Sequence, residues 1–251
     1  MSHFTVLVIG NPKIGESVSD FVERQLQPFN ENDTDNPDYN PKWDWWEVGG
    51  RWTGFFKVKD GVKDFFVGRP GIMTEPAEPG YADIIKKGDI DLDGMRTEAA
   101  ERAAKSYDDV KALFGGSIPK IELPWAVLLN DSSTSIEDKR DTYWNQPALK
   151  QLEDLRKNPP KCLSEEKRDK LMWLDLEKYQ ISREEYIQAA KNRYLTTFAV
   201  VKDEKWYERG EMGWWAVVTN EKEDSVWQEE FNKLINGLPD DTWLAVVDCH
   251  I

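Results

Sequence analysis

The sequence predicts an α+β protein with a mainly antiparallel sheet and a helical insertion. Three observations carry that expectation. Short apolar runs rich in β-formers stand near both ends, at 3–9 (HFTVLVI) and 243–249 (WLAVVDC). Residues 147–195 read as helix, broken by Pro159-Pro160. From residue 197 onward the pattern returns to β.

The elements follow in order. Residues 3–9 form a buried strand, because both alternating faces are apolar, and Gly10-Asn11-Pro12 closes it. Residues 17–27 have helical spacing, and the acidic, Pro- and Asn-rich stretch 30–41 is a loop. Asp60-Gly61 between the apolar runs 55–59 and 62–67 signals a hairpin. Residues 68–80 are Pro-rich and irregular, and 97–114 form a helix stopped by Gly115-Gly116. The run 125–129 (WAVLL) reads as another short buried strand. Within 147–195, helices start at Ser164 and at Ser182, the latter with Glu185 as a capping box. A strand follows at 197–202, then a hairpin of Trp206-Tyr207-Glu208 with 213–219 around Arg209-Gly210-Glu211. Residues 225–238 form an amphipathic helix capped by Asp224 or Ser225, before the final strand. The expected organisation is a single domain over 1–251, with the helical insertion at about 147–195.

Phe4-Thr5-Val6-Leu7-Val8 is echoed by Phe198-Ala199-Val200-Val201. Two ferredoxin-like halves sharing one sheet would explain the echo, and chance likeness between apolar strands explains it as well. In a ferredoxin-like arrangement the first and last strands are antiparallel neighbours.

The chain of 251 residues is 39% apolar and 32% charged, enough to fill a core. Twelve Trp residues raise the odds of a binding surface without locating it. A net charge of −14 argues against general nucleic-acid binding, which rests on Lys and Arg contacts to phosphate. It fits a highly charged, soluble surface, or an acidic face that blocks a partner. The two cysteines, Cys162 and Cys249, form no CxxC pattern, and no apolar run is long enough to span a membrane. The N-terminus lacks the basic region of a signal peptide, so the expected location is the cytosol.

The two histidines, His3 and His250, stand near opposite ends of the chain. Adjacent terminal strands would bring His3 beside Asp248, Cys249 and His250, a set suited to acid–base or metal chemistry. Alternation puts Asp248 and His250 on one face and Cys249 on the other. Polar residues that merely end two strands are the structural alternative. His3-Phe4-Thr5 matches half of a two-histidine phosphoesterase signature, but no second HxT follows. Whether a metal or other cofactor takes part stays open.

The run Trp45-Trp46-Glu47-Val48-Gly49-Gly50-Arg51-Trp52 is the more distinctive one. Gly49 and Gly50 allow close backbone approach or a positive-φ turn. Arg51 offers a fork for phosphate or carboxylate. Trp45, Trp46 and Trp52 offer faces for stacking on a base. The alternative is a tight hairpin with core Trp residues and Arg51 paired to Asp44 or Glu47. Trp206-Tyr207-Glu208-Arg209-Gly210 and Trp214-Trp215 would be the opposing wall of the same pocket if the internal echo is real. Asp89 to Gly94 has the look of a calcium loop but lacks its closing Glu. P-loop, GxGxxG, HExxH, GxSxG and CxxC motifs are missing.

The opening SHFTVLVIG, the central WDWW with Gly49-Gly50-Arg51-Trp52, and the closing VDCHI resemble a family of uncharacterised bacteriophage and prophage proteins. The resemblance spans the chain, with a weaker match in the middle. It implies an accessory protein in the bacterial host cytosol and makes the terminal histidines and the Gly-Gly-Arg run family features. The first reading is therefore a binder of a small anionic, nucleotide-like molecule, such as a host immune signal, acting in counter-defence. The second is a phosphoester hydrolase with His3, Asp248 and His250 as catalytic residues. The third is an acidic inhibitor of a host protein. The oligomeric state, a homo-oligomer included, stays open.

Overall fold

A computed structural model describes residues 2–35, 40–69, 78–213 and 217–251. The chain is α+β, as its patterns predict. In order, the first elements are β1 (His3–Gly10), α1 (Val18–Leu26), β2 (Trp45–Val48), β3 (Phe56–Lys57), β4 (Phe65–Phe66), β5 (Tyr81–Ala82) and β6 (Ile84–Lys86). The helices α2 (Leu92–Leu113), α3 (Trp125–Leu129), α4 (Ile136–Trp144), α5 (Pro147–Lys157), α6 (Glu165–Met172) and α7 (Arg183–Asn192) follow. The chain then returns to β7 (Ala199–Lys202), β8 (Lys205–Glu208), β9 (Glu211–Met212), β10 (Val218–Thr219), α8 (Asp224–Asn236) and β11 (Trp243–His250).

Two compact units divide these elements, 1–97 with 192–251 and 98–191. The helical unit thus begins at Glu98 rather than near residue 147. The first unit is built on a seven-stranded sheet in the order β4-β6-β11-β1-β7-β8, with β2 also paired to β11. Most pairs are antiparallel; β1 and β7 are parallel.

This order replaces the ferredoxin-like expectation. In that fold the βαβ unit is split by another strand, whereas β7 lies directly beside β1, with Val6 opposite Ala199. The repeated apolar strings are therefore neighbours in one sheet, alike because both bury two faces, and a duplicated half is not observed among the described residues. The antiparallel pairing of the first and last strands does form, over eight residue pairs from His3↔His250 to Gly10↔Trp243.

Alternation along β1 and β11 feeds two cores. On one face Phe4, Val6, Val8, Val247 and Cys249 pack with Phe21, Val22 and Leu26 of α1. Burying side chains of this size contributes about 1.5–3 kcal/mol each. Ser17 caps α1, its hydroxyl accepting the Asp20 N–H at 3.1 Å. On the other face Leu7, Ile9, Leu244 and Val246 pack with Trp227, Phe231 and Ile235 of α8. No side chain caps α8, whose N-cap is Glu223 rather than Asp224 or Ser225.

Two local expectations fail for a shared reason, and a third for a different one. The Asp60-Gly61 turn forms, with Val62 N–H donating to Lys59 C=O, but its flanks do not pair with each other. Phe56 pairs with Ala82 and Phe65 with Ile85 instead. Around Arg209-Gly210-Glu211, β8 turns back to pair with β7 through Asp203-Glu204, both at positive φ, while β9 pairs with β10. In each case a more apolar strand elsewhere in the sequence wins the pairing. The run 125–129 is a helix, α3, and its Val127 and Leu129 are exposed; a short apolar run does not distinguish strand from helix.

In the helical unit Leu149 and Leu152 of α5 pack with Ile121, Leu171 and Leu176. The capping box of α7 is present: Ser182 N–H donates to Glu185 Oε2 at 2.8 Å, and Glu185 N–H donates to Ser182 Oγ at 3.2 Å. Asp91 caps α2 by accepting the Gly94 N–H at 2.9 Å, which accounts for the acids that resemble a calcium loop. Among the described residues no helix is long and apolar enough to cross a membrane.

Candidate functional site

The apolar stripe under α8 ends in polar residues. His3 and Thr5 continue the face of Leu7 and Ile9, and Asp248 and His250 continue that of Leu244 and Val246. His3 stands opposite His250, and Thr5 opposite Asp248. β2 extends the same end, with Trp45 opposite His250 and Glu47 opposite Asp248.

Two imidazole–carboxylate pairs result. His3 Nδ1 lies 2.9 Å from Oδ1 of Asp248, and His250 Nδ1 lies 2.5 Å from Oδ1 of Asp44. A carboxylate only accepts, so Nδ1 is the donor in both contacts, and either ring in its neutral form presents its lone pair at Nε2. The rings meet edge to face with centroids 5.1 Å apart. The Trp45 ring is 6.2 Å from that of His3 and is 46% exposed. His250 Nε2 is buried and has no hydrogen-bond partner among the described residues, a costly arrangement for a polar atom.

The Gly-Gly-Arg run joins this cluster in an unexpected way. Gly49 and Gly50 have φ of +73° and +52°, and they turn the chain from β2 into a single 3-10 turn, Gly50–Trp52. That turn presents the Arg51 N–H to Asp248 Oδ2 at 3.1 Å. A Cβ on Gly50 would lie 2.5 Å from that of Asp248, and one on Gly49 would strike the Asp83 carboxylate. The space beside the glycines is thus taken by the protein's own carboxylates.

Asp83, fully buried, is the residue that motif reading missed. Its carboxylate accepts from Thr53 Oγ1 at 2.9 Å, Gly54 N–H at 2.6 Å and Gly68 N–H at 2.7 Å. A lone acid inside the apolar run Ala82-Asp83-Ile84-Ile85 was the available signal, since a buried carboxylate must be met by donors.

The other predicted residues separate. The Arg51 side chain is exposed and has no ion pair among the described residues, neither with Asp44, which binds His250, nor with Glu47. Trp46 faces the α1-side core, edge-on to Trp43 and beneath the Arg69 guanidinium at 5.2 Å. Trp52 packs on the α8-side core. The three tryptophans thus form no common stacking wall, because β2 alternates its faces. Trp214 and Trp215 lie outside the described residues.

Cys249 also points away, into the α1-side core, where burial pushes its thiol well above the ordinary range. Among the described residues no three His, Cys, Asp or Glu side chains are placed to hold a metal ion.

No family model, curated protein or solved structure matches this chain.

Proposed function

We propose that the chain acts on a phosphoester of a small nucleotide-like molecule by general acid–base catalysis through His3 and His250. One observation carries this: two imidazoles 5.1 Å apart, each with Nδ1 tied to its own carboxylate. A carboxylate on Nδ1 fixes the tautomer, aims Nε2 and stabilises the imidazolium that forms on proton uptake. Rings this close serve one phosphoryl group through hydrogen bonds of about 2.6–3.2 Å once substrate entry uncovers His250 Nε2, which is buried in the free chain.

One neutral imidazole takes the proton of an attacking water as its oxygen bonds to phosphorus. The other, protonated, gives its proton to the leaving oxygen as that P–O bond breaks. Asp248 and Asp44 keep their negative charge and orient the rings. Arg51, exposed on the turn that holds Asp248, supplies a guanidinium for the phosphate charge. Trp45, half-exposed beside His3, supplies a face for a base.

The resemblance to bacteriophage and prophage proteins makes linear and cyclic signalling nucleotides of a bacterial host the first compounds to try. Each is incubated with the purified chain and followed by mass spectrometry. The expected result is a product of new mass, with turnover falling about 10²–10⁴-fold in His3→Ala and in His250→Ala. A compound taken up by the wild-type chain but returned unchanged on denaturation would replace turnover with binding. Wild-type turnover that survives both substitutions would remove these residues from the chemistry.

A further inference from the structure

We propose a second binding site, in the helical unit, for a small planar aromatic anion. The site is a cavity of about 480 Å³ between α3, α4, α5 and the segment after α6. That size falls within the roughly 300–1,000 Å³ of small-molecule pockets.

Its walls are aromatic and held in place. Trp125 meets Tyr143 edge to face at 5.4 Å, and Tyr143 meets Trp144 likewise at 5.2 Å. Glu177 fixes this chain of rings. Its Oε1 accepts the backbone N–H of Trp125 at 2.6 Å, and burial with a hydrogen bond to Glu177 raises the Tyr143 phenol above its ordinary range. Trp144 is 50% exposed, so its ring meets solvent rather than core. Fixed aromatic faces of this kind receive a planar ring with little loss of side-chain freedom.

Charge commitments decide the sign of the ligand. Four charged side chains line the cavity, Arg140, Arg156, Asp175 and Glu177, and what matters is which of them is free. Asp175 accepts the Glu177 N–H at 3.1 Å and pairs with Lys178 at 3.5 Å. Arg156 is spent on backbone, donating to Leu171 C=O at 3.3 Å and to Leu174 C=O at 2.9 Å. Arg140 also lines the cavity, is exposed, and has no partner among the described residues. An uncommitted guanidinium in a chain of net charge −14 is a fork without its anion. Ring faces beside one free guanidinium fit an aromatic ring that bears a carboxylate or phosphate.

The test uses the intact chain with 2-naphthoate, 2-naphthyl phosphate and neutral 2-naphthamide, read by quenching of tryptophan fluorescence and by calorimetry. The expected result is saturable binding of at least one acid, about tenfold or more tighter than the amide. The tighter acid names the natural anion. Arg140→Gln removes the preference for acid over amide, and Trp144→Ala weakens all three. His3→Ala leaves all three unchanged, which separates this site from the one on the sheet. Equal binding of acids and amide, acid preference that survives Arg140→Gln, or no saturable binding would overturn the proposal.

Discussion

His3 and Asp248 are 245 positions apart in sequence, yet Nδ1 of one lies 2.9 Å from Oδ1 of the other. Strand pairing alone does not place them so. Register sets Thr5, not His3, opposite Asp248, and the carboxylate reaches diagonally across the face to the imidazole. Its second oxygen is anchored by the Arg51 N–H. The glycine turn therefore aims a histidine at the far end of the chain.

That dependence predicts an asymmetry between two glycines. Gly50 and Gly61 both have positive φ, +52° and +82°. Gly61 has open space where a Cβ would go, whereas Gly50 faces Asp248. Gly61→Ala should cost about 1–2 kcal/mol from backbone conformation alone. Gly50→Ala should cost a further 1–3 kcal/mol, roughly, from overpacking. Urea unfolding of the two variants checks this, and equal costs would show that the turn does not need to admit Asp248.

Asp83 predicts a larger loss. Asp83→Ala leaves the Thr53 hydroxyl and the Gly54 and Gly68 N–H groups without their acceptor. The expected destabilisation is about 3 kcal/mol or more. Asp83→Asn keeps one acceptor oxygen and should lose less. Thermal unfolding orders the three chains as wild type, Asn, Ala. A neutral Asp83→Ala would mean that the loops of this region close without their buried carboxylate.

Acid should weaken a separate part of the sheet unit. A hydrogen bond from Arg24 is the main cause holding the Glu16 carboxyl down at about 2, against an ordinary value of 4.5. A carboxyl with a lowered folded pKa stabilises the fold fully above its unfolded value. That contribution fades as pH falls from 4.5 through about 2. The stability difference between wild type and Glu16→Gln should therefore be largest above pH 4.5 and shrink toward pH 2. A difference constant across that window would contradict the pairing.

Much of this arrangement was legible in the sequence. The apolar runs that became β1 and β11 announced two buried terminal strands, and the alternation of Asp248, Cys249 and His250 correctly split the thiol from the other two. Ser182 with Glu185 announced its helix because a capping box is a local signal. What stayed hidden depends on distant partners. Asp60-Gly61 makes its turn, but only the burial of Ala82 and Ile85 decides what the flanking strands pair with. The glycines read as room for a ligand because nothing local reveals that Asp83 and Asp248 arrive there. Asp44 read as a partner for Arg51 until β2 paired with β11 and set it beside His250.

With only two histidines in the chain, nitrogen NMR of a ¹⁵N-histidine-labelled sample gives one spin system for each ring. It reads directly which nitrogen carries the proton. Both neutral rings should be protonated at Nδ1, and Asp248→Asn should change His3 while leaving His250 as it was. Either ring found protonated at Nε2 in the wild-type chain would contradict the oriented pair on which the proposed chemistry rests.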